Sequence, residues 1–179
     1  LPIRREGEAW DLTTRALEAD PFNSYANALA ARIVLADGEC AAAESYFLNM
    51  IERGGYYPVL AGMIATEAAP CGSEFAQAAG DWRARIGAMS QGNRTLDPLS
   101  QLYVMLAVLA LEDRATAERL ASTRPIEESS ADVEGMLDEL TRAVESRGYA
   151  RSNATEIEAH LARFVWNPQA RTAIMRSLR

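Results

Sequence analysis

Lysine is absent from this sequence: all 18 basic residues are arginine, set against 25 acidic ones for a formal charge of −7. An acidic chain without a basic cluster is poorly matched to nucleic acid, whose binding depends on neutralising phosphates with Lys and Arg. The missing lysine, beside abundant alanine, fits the coding bias of a GC-rich bacterial genome and carries no functional weight. Histidine occurs once, at His160, and cysteine twice, at Cys40 and Cys71, outside any CxxC pair. So thin a supply of nitrogen and sulfur ligands argues against a zinc site, and no metal or cofactor is expected. No run of 18 apolar residues occurs, so nothing reads as a membrane-spanning helix. The densest apolar stretch, 99–111, is too short for that and predicts a buried helix. There is no signal-peptide pattern, phosphate loop, GxGxxG, GxSxG or Glu-x-x-His sequence. No stretch alternates with period two, which removes the pattern of a half-buried strand.

What remains is apolar and helical. Hydrophobic residues make up 49% of 179 positions, which excludes general disorder and suffices for one domain with a substantial core. The chain begins at Leu1, so an excised domain or a processed product is expected. The stretch 24–55 predicts two helices folded back on each other. The first is apolar at Ala28, Leu29, Ala31, Val34 and Leu35, the second at Ala42, Ala43, Tyr46, Phe47, Met50 and Ile51. Asp37-Gly38 lies between them, where glycine can end a helix in the left-handed region.

Further helices are predicted over 6–19, 58–67, 73–89, 98–111, 115–122, 131–147, from Asn153 onward, and from Asn167-Pro168 to Leu178. Their ends are marked by Asp20-Pro21, Gly54-Gly55, Pro70-Cys71-Gly72, Asp97-Pro98 and Ser129-Ser130. The polar segment 90–95 is the candidate hinge. The stretch 131–147 is the cleanest amphipath, with Val133, Met136, Leu137, Leu140 and Val144 on one face. The fold class that follows is all-α.

The sequence also repeats itself. Val34-Leu35-Ala36 recurs as Val108-Leu109-Ala110, and Ala43-Glu44 as Ala117-Glu118 at the same offset; a weaker match at 34 residues relates Ala31 to Ala65 and Gly38 to Gly72. A lone helical hairpin cannot bury its apolar face, so repeated hairpins imply a stacked array. The stretch 16–47 resembles a tetratricopeptide repeat (TPR). Ala31 and Gly38 stand at the small positions of the first helix and turn, Ala43 and Phe47 at the small and aromatic positions of the second. Ala9, Ala16 and Pro21 match the tail of an upstream repeat. Asn27, Ala30 and Met50 depart from the pattern.

That resemblance implies a right-handed α-solenoid of degenerate TPR-like hairpins with a C-terminal helical extension. The single domain 1–179 then divides into repeats over 1–92 and, over 93–179, a degenerate repeat followed by C-terminal helices. It implies a protein or peptide partner on the concave face, where the register projects Tyr25, Arg32 and Thr66. Arrays of this low repeat fidelity resemble those attached to bacterial winged-helix transcription regulators and adenylate cyclases. The expectation is therefore a non-catalytic regulatory or sensory domain of a larger bacterial protein. The alternative is a stand-alone adaptor, and a homodimer stays open.

Cys40 and Cys71 fall at the turns of neighbouring repeats. They are either two small buried hydrophobes or a disulfide, and a disulfide would place the chain in the periplasm rather than the cytoplasm. Glu156 precedes His160 by one helical turn, and the two read as a surface pair, a half-buried core histidine or a pH-sensing pair. The acidic residues of 127–139 read as solubilising surface or a docking patch. Trp10, Trp82 and Trp166 read as core anchors.

Overall fold

Asn, Asp, Ser and Pro set where the helices of this chain begin. The computed structural model describes residues 7–53, 58–74, 96–123, 129–146 and 154–179. Among these are nine α-helices, one 3-10 helix and no strand. They are α1 (Glu8–Ala19), α2 (Ser24–Ala36), α3 (Cys40–Arg53), α4 (Pro58–Ala68), the 3-10 turn Ala69–Glu74, α5 (Pro98–Ala110), α6 (Arg114–Ala121), α7 (Ala131–Glu145), α8 (Ala154–Leu161) and α9 (Pro168–Ser177). Side chains of Asn23, Asp97, Asp113, Ser130 and Asn167 each accept a hydrogen bond from a first-turn amide of the helix that follows. Each such cap stabilises by about 1 kcal/mol. Pro98 and Pro168 start α5 and α9, where a missing N–H costs nothing.

The repeat seen in the sequence is also a repeat of geometry. At the end of α2, Gly38 N–H donates to Leu35 O (3.0 Å) and Glu39 N–H to Val34 O (2.9 Å), with Gly38 at φ +81°. This is a Schellman turn. At the end of α5, Glu112 N–H donates to Leu109 O (3.0 Å) and Asp113 N–H to Val108 O (2.8 Å), with Glu112 at φ +59°. Every partner lies 74 residues further along the chain. The caps Asn23 and Asp97 share that offset, as do the buried amides Asn27 and Gln101 and the fully buried Ala43 and Ala117. Helices α2 and α3 thus have counterparts in α5 and α6. Packing echoes this: α2 meets α3 and α4, and α5 meets α6 and α7.

Helix α5 is central, as its all-round apolarity predicts: of its residues only Leu99 reaches solvent. It packs most extensively on α4, and the reason is Gly62. A Cβ there would lie 2.9 Å from the Tyr103 carbonyl carbon, so only glycine lets the two backbones come this close. Helix α7 buries the predicted Val133, Met136, Leu137, Leu140 and Val144. The chain does not run on as a linear stack. Helix α9 returns to α4, α5 and the 3-10 turn, burying Ala170, Ile174, Met175 and Leu178. Arg114 fastens this closure, donating to Ser177 O (3.0 Å) and Val144 O (2.9 Å) at the ends of α9 and α7.

Residues 69–74, predicted as a turn and a helix start, form the 3-10 segment, with Gly72 at φ +64°. The rest of the helix predicted to 89, Trp82, the hinge 90–95 and the caps at Gly148 and Asn153 lie outside the described residues.

Candidate functional site

The inner faces of α2, α4 and α5 carry a buried cluster built around an ion pair. Arg32 of α2 is 5% exposed and Glu67 of α4 is 2% exposed. They meet at 3.0 Å, guanidinium nitrogen to Oε1. An isolated buried charge is expensive, so each needs further partners. These come from the loop between α8 and α9. Trp166 N–H donates to Glu67 Oε1 and Asn167 N–H to Oε2, both at 2.7 Å, while Asn167 Nδ2 donates to the Glu67 carbonyl at 3.1 Å. Arg32 also donates to Phe164 O at 2.9 Å, and its guanidinium carbon lies 3.6 Å from the Trp166 ring centroid. That stack is a cation–π contact in a desolvated setting. Arg171 holds the same loop from behind, donating to Val165 O (2.7 Å) and Trp166 O (3.0 Å).

Tyr103 of α5 completes the cluster, edge-on to Phe164 with ring centroids 6.4 Å apart. Burial pushes its phenol above the ordinary pKa. The Arg32 guanidinium pulls it partly back, by its charge and by a hydrogen bond, and the Glu67 carboxylate adds to the rise.

This arrangement revises where the expected partner-facing residues lie. Arg32 was expected on an open concave face, but it is buried under the chain's own loop. Thr66 is 1% exposed, and its hydroxyl donates to Gly62 O at 2.7 Å, the usual retreat of a threonine inside a helix. Tyr25 alone of the three is exposed, at 66%. Near it in sequence Leu12 and Phe22 also reach solvent.

His160 does not use Glu156. Its Nδ1 lies 3.2 Å from Glu139 Oε2 on α7, and its ring sits beside Phe164 with centroids 5.9 Å apart. Glu156 points to solvent. Helical spacing identified a neighbour on the same helix, whereas packing supplied one from the next.

Cys40 and Cys71 are joined in a disulfide, with Cα atoms 5.7 Å apart, tying the start of α3 to the 3-10 turn. Of the two readings of the cysteines, this is the one the structure adopts. Trp10 is half-buried against the core, and Trp166 anchors through Arg32 rather than through apolar packing alone. Glu67 and Tyr103 were not singled out in the sequence, and Asn167 was read there only as a helix start. A Glu within the otherwise uncharged helix ATEAA was the one trace of the first.

Elsewhere, a half-open cleft of about 350 Å³ lies between α8 and α9, lined by Ala154, Glu158, Thr172, Met175, Arg176 and Arg179. Its polar groups are solvent-exposed. Among the described residues no group of three or more His, Cys, Asp or Glu is poised to hold a metal, and no helix is long and apolar enough to cross a membrane. Comparison with family models, with curated proteins and with solved structures finds no match.

Proposed function

We propose that this chain is a TPR-like protein-interaction domain, acting through contacts rather than catalysis, as the regulatory part of a larger bacterial signalling or transcriptional regulator. The observation that carries the reading is the duplicated unit: α2–α3 and α5–α6 share a cap, a buried amide and a Schellman turn at one constant offset. The first helices of the two units, α2 and α5, both pack on α4, and stacked helical hairpins are an architecture that can present a continuous surface to a protein or peptide. The Cys40–Cys71 bridge favours an oxidising compartment, the periplasm in a bacterium. A stand-alone adaptor is the second reading, and the domain content of the parent chain separates the two.

The test is photo-crosslinking in the parent protein, with the reactive residue placed at exposed Tyr25 and, as a control, at exposed Arg142 on the outer face of α7. The expected result is one discrete protein adduct from position 25 and none from 142. Equal, diffuse labelling from both positions refutes a localised interaction face.

A further inference from the structure

We propose that α2, α4 and α5 together present an open apolar strip, formed by Tyr25, Leu29, Val59, Met63 and Leu99. Its partner is a segment of apolar side chains flanked by basic ones, of the kind a basic amphipathic helix displays. This rests on the interaction-domain reading above and names the partner chemistry for the face that Tyr25 occupies.

Charge is what sets these three helices apart. Between them they carry two charged residues, Arg32 and Glu67, and both are buried in the ion pair. What they show to solvent is apolar. Apart from Ala36 at its end, α2 exposes Tyr25 and, in part, Leu29; the described side chains of α4 that reach solvent are Val59 and Met63, and α5 exposes Leu99. The outer faces of α1, α7 and α8 instead show Glu8 and Asp11, Glu134 and Asp138, and Glu156 and Glu158, as solvated helix faces do.

The strip is one surface. Each helix places its residues four apart, Tyr25 with Leu29, Val59 with Met63 and Leu99 with the nearly buried Tyr103, so each set lies on one helix face. One turn further on, the same faces are closed at buried Arg32, Thr66 and Leu106. Arg32–Glu67 and Cys40–Cys71 tie α2 to α4 in the same order along both, so these helices run parallel with their open ends together. Helix α4 then meets α5 at Gly62 and Tyr103, beside Met63 and one turn from Leu99. The closed half lies under the chain's own Phe164, whose carbonyl accepts from Arg32 and whose ring lies beside Tyr103; the open half continues that covered face. A lone exposed apolar residue means little, whereas a row across packed helices marks a docking surface.

The rim sets the partner's charge. Exposed Glu18, Asp20 and Asp97 stand just before α2 and α5, and no basic residue occurs over 16–31, 58–66 or 96–113. Arginine or lysine beside a partner's apolar side chains complements that rim, while a second copy of this chain would set acid against acid.

The experiment uses the full chain with its disulfide intact. The probe is a fluorescent synthetic helix with leucines on one face and arginines on the other; a second probe carries glutamate in place of arginine. Expected is binding of the arginine peptide, weakened by added salt, and none of the glutamate peptide. Tyr25→Ser and Leu99→Ser should each weaken binding about fivefold or more with unchanged far-UV circular dichroism. Asp20→Asn/Asp97→Asn keeps the side-chain oxygens that accept from Phe22 and Ser100 N–H, and should weaken it too. Leu12→Ser and Leu48→Ser remove exposed apolar side chains off the strip and should leave binding unchanged.

Four results overturn the inference. The arginine peptide does not bind; the glutamate peptide binds as well; Tyr25→Ser and Leu99→Ser weaken binding no more than Leu12→Ser and Leu48→Ser do; or the chain is a dimer that Tyr25→Ser and Leu99→Ser dissociate, which makes a second copy the occupant. Any of these alongside a discrete adduct from position 25 defeats the partner chemistry while leaving the interaction domain standing. Strip-dependent peptide binding without such an adduct does the reverse.

Discussion

Replacing Glu67 by Gln isolates the energetic logic of the buried cluster. The carboxylate receives three N–H donors, from Arg32, Trp166 and Asn167. Glutamine keeps one acceptor oxygen and turns an NH2 group toward donors. It therefore loses at least one charged hydrogen bond, about 1.5–3 kcal/mol, and leaves the Arg32 charge buried without its counter-ion. Removing one partner of such a pair costs about 3–5 kcal/mol in all. For a domain of this size that lowers Tm by roughly 6–20 °C. Arg32→Met should cost a similar amount. The double replacement Arg32→Met/Glu67→Leu is the informative one. In a simple ion pair, an apolar double mutant recovers most of the loss. Here it still strands the Trp166 and Asn167 amides, at about 1–3 kcal/mol each, so it stays well below wild type. Denaturant unfolding with a double-mutant cycle reads these quantities directly. If Glu67→Gln lies within about 1 kcal/mol of wild type, or the apolar pair matches it, the clamp is not what holds the C-terminal loop.

Removing the disulfide with Cys40→Ser/Cys71→Ser opens a loop of 31 residues and should cost about 3.7 kcal/mol by chain entropy; a thiol assay on unreduced native protein should find no free thiol. Tyr103 gives an alkaline signature. Its folded pKa lies above the unfolded value of 10.0, so its contribution is fully present below that pH and is lost as pH rises through the folded pKa. Ultraviolet titration should show one late-ionising tyrosine that Tyr103→Phe removes. Glu112→Gly should stabilise by about 1 kcal/mol, because it places glycine at a left-handed position that its counterpart Gly38 already fills. The exposed Arg176 contact it forfeits is worth little. Gly62→Ala should instead destabilise by about 1–3 kcal/mol despite alanine's helix preference, since its Cβ meets the Tyr103 backbone; a gain in thermal stability would contradict the close approach of α4 and α5.

Local chemistry was legible in the sequence wherever it acts locally. Asp97 and Asn167 start helices where their side chains can reach first-turn amides, and the spacing of Val133, Met136, Leu137, Leu140 and Val144 fixed the buried face of α7. The 74-residue offset was visible too, in Val34-Leu35-Ala36 against Val108-Leu109-Ala110, but the second Schellman turn was not, because Glu112 stands where Gly38 does. The polar cluster was not. Arg32 and Phe164 are separated by 132 positions, and no periodicity reports a partner that arrives from the far end of the chain. The register placed Arg32 on an open face, and it could not say that a later segment covers that residue. Glu156 illustrates the same limit at His160: sequence spacing sees along a helix, and the carboxylate that matters came across from α7.

The reach of that clamp has a consequence for how the chain comes to be folded. Helices α2 and α4 can pair as soon as they are made, but the amides that satisfy Glu67 lie about 100 residues later. During vectorial synthesis the first half of the molecule must therefore exist with an exposed, half-solvated ion pair in place of a finished core. Closing it is a late, long-range event and should set the slow step of refolding. The charge pair is well suited to that wait. Unlike a bare apolar groove, an open Arg32–Glu67 surface stays hydrated and offers nascent neighbours little to stick to until residues 164–167 emerge.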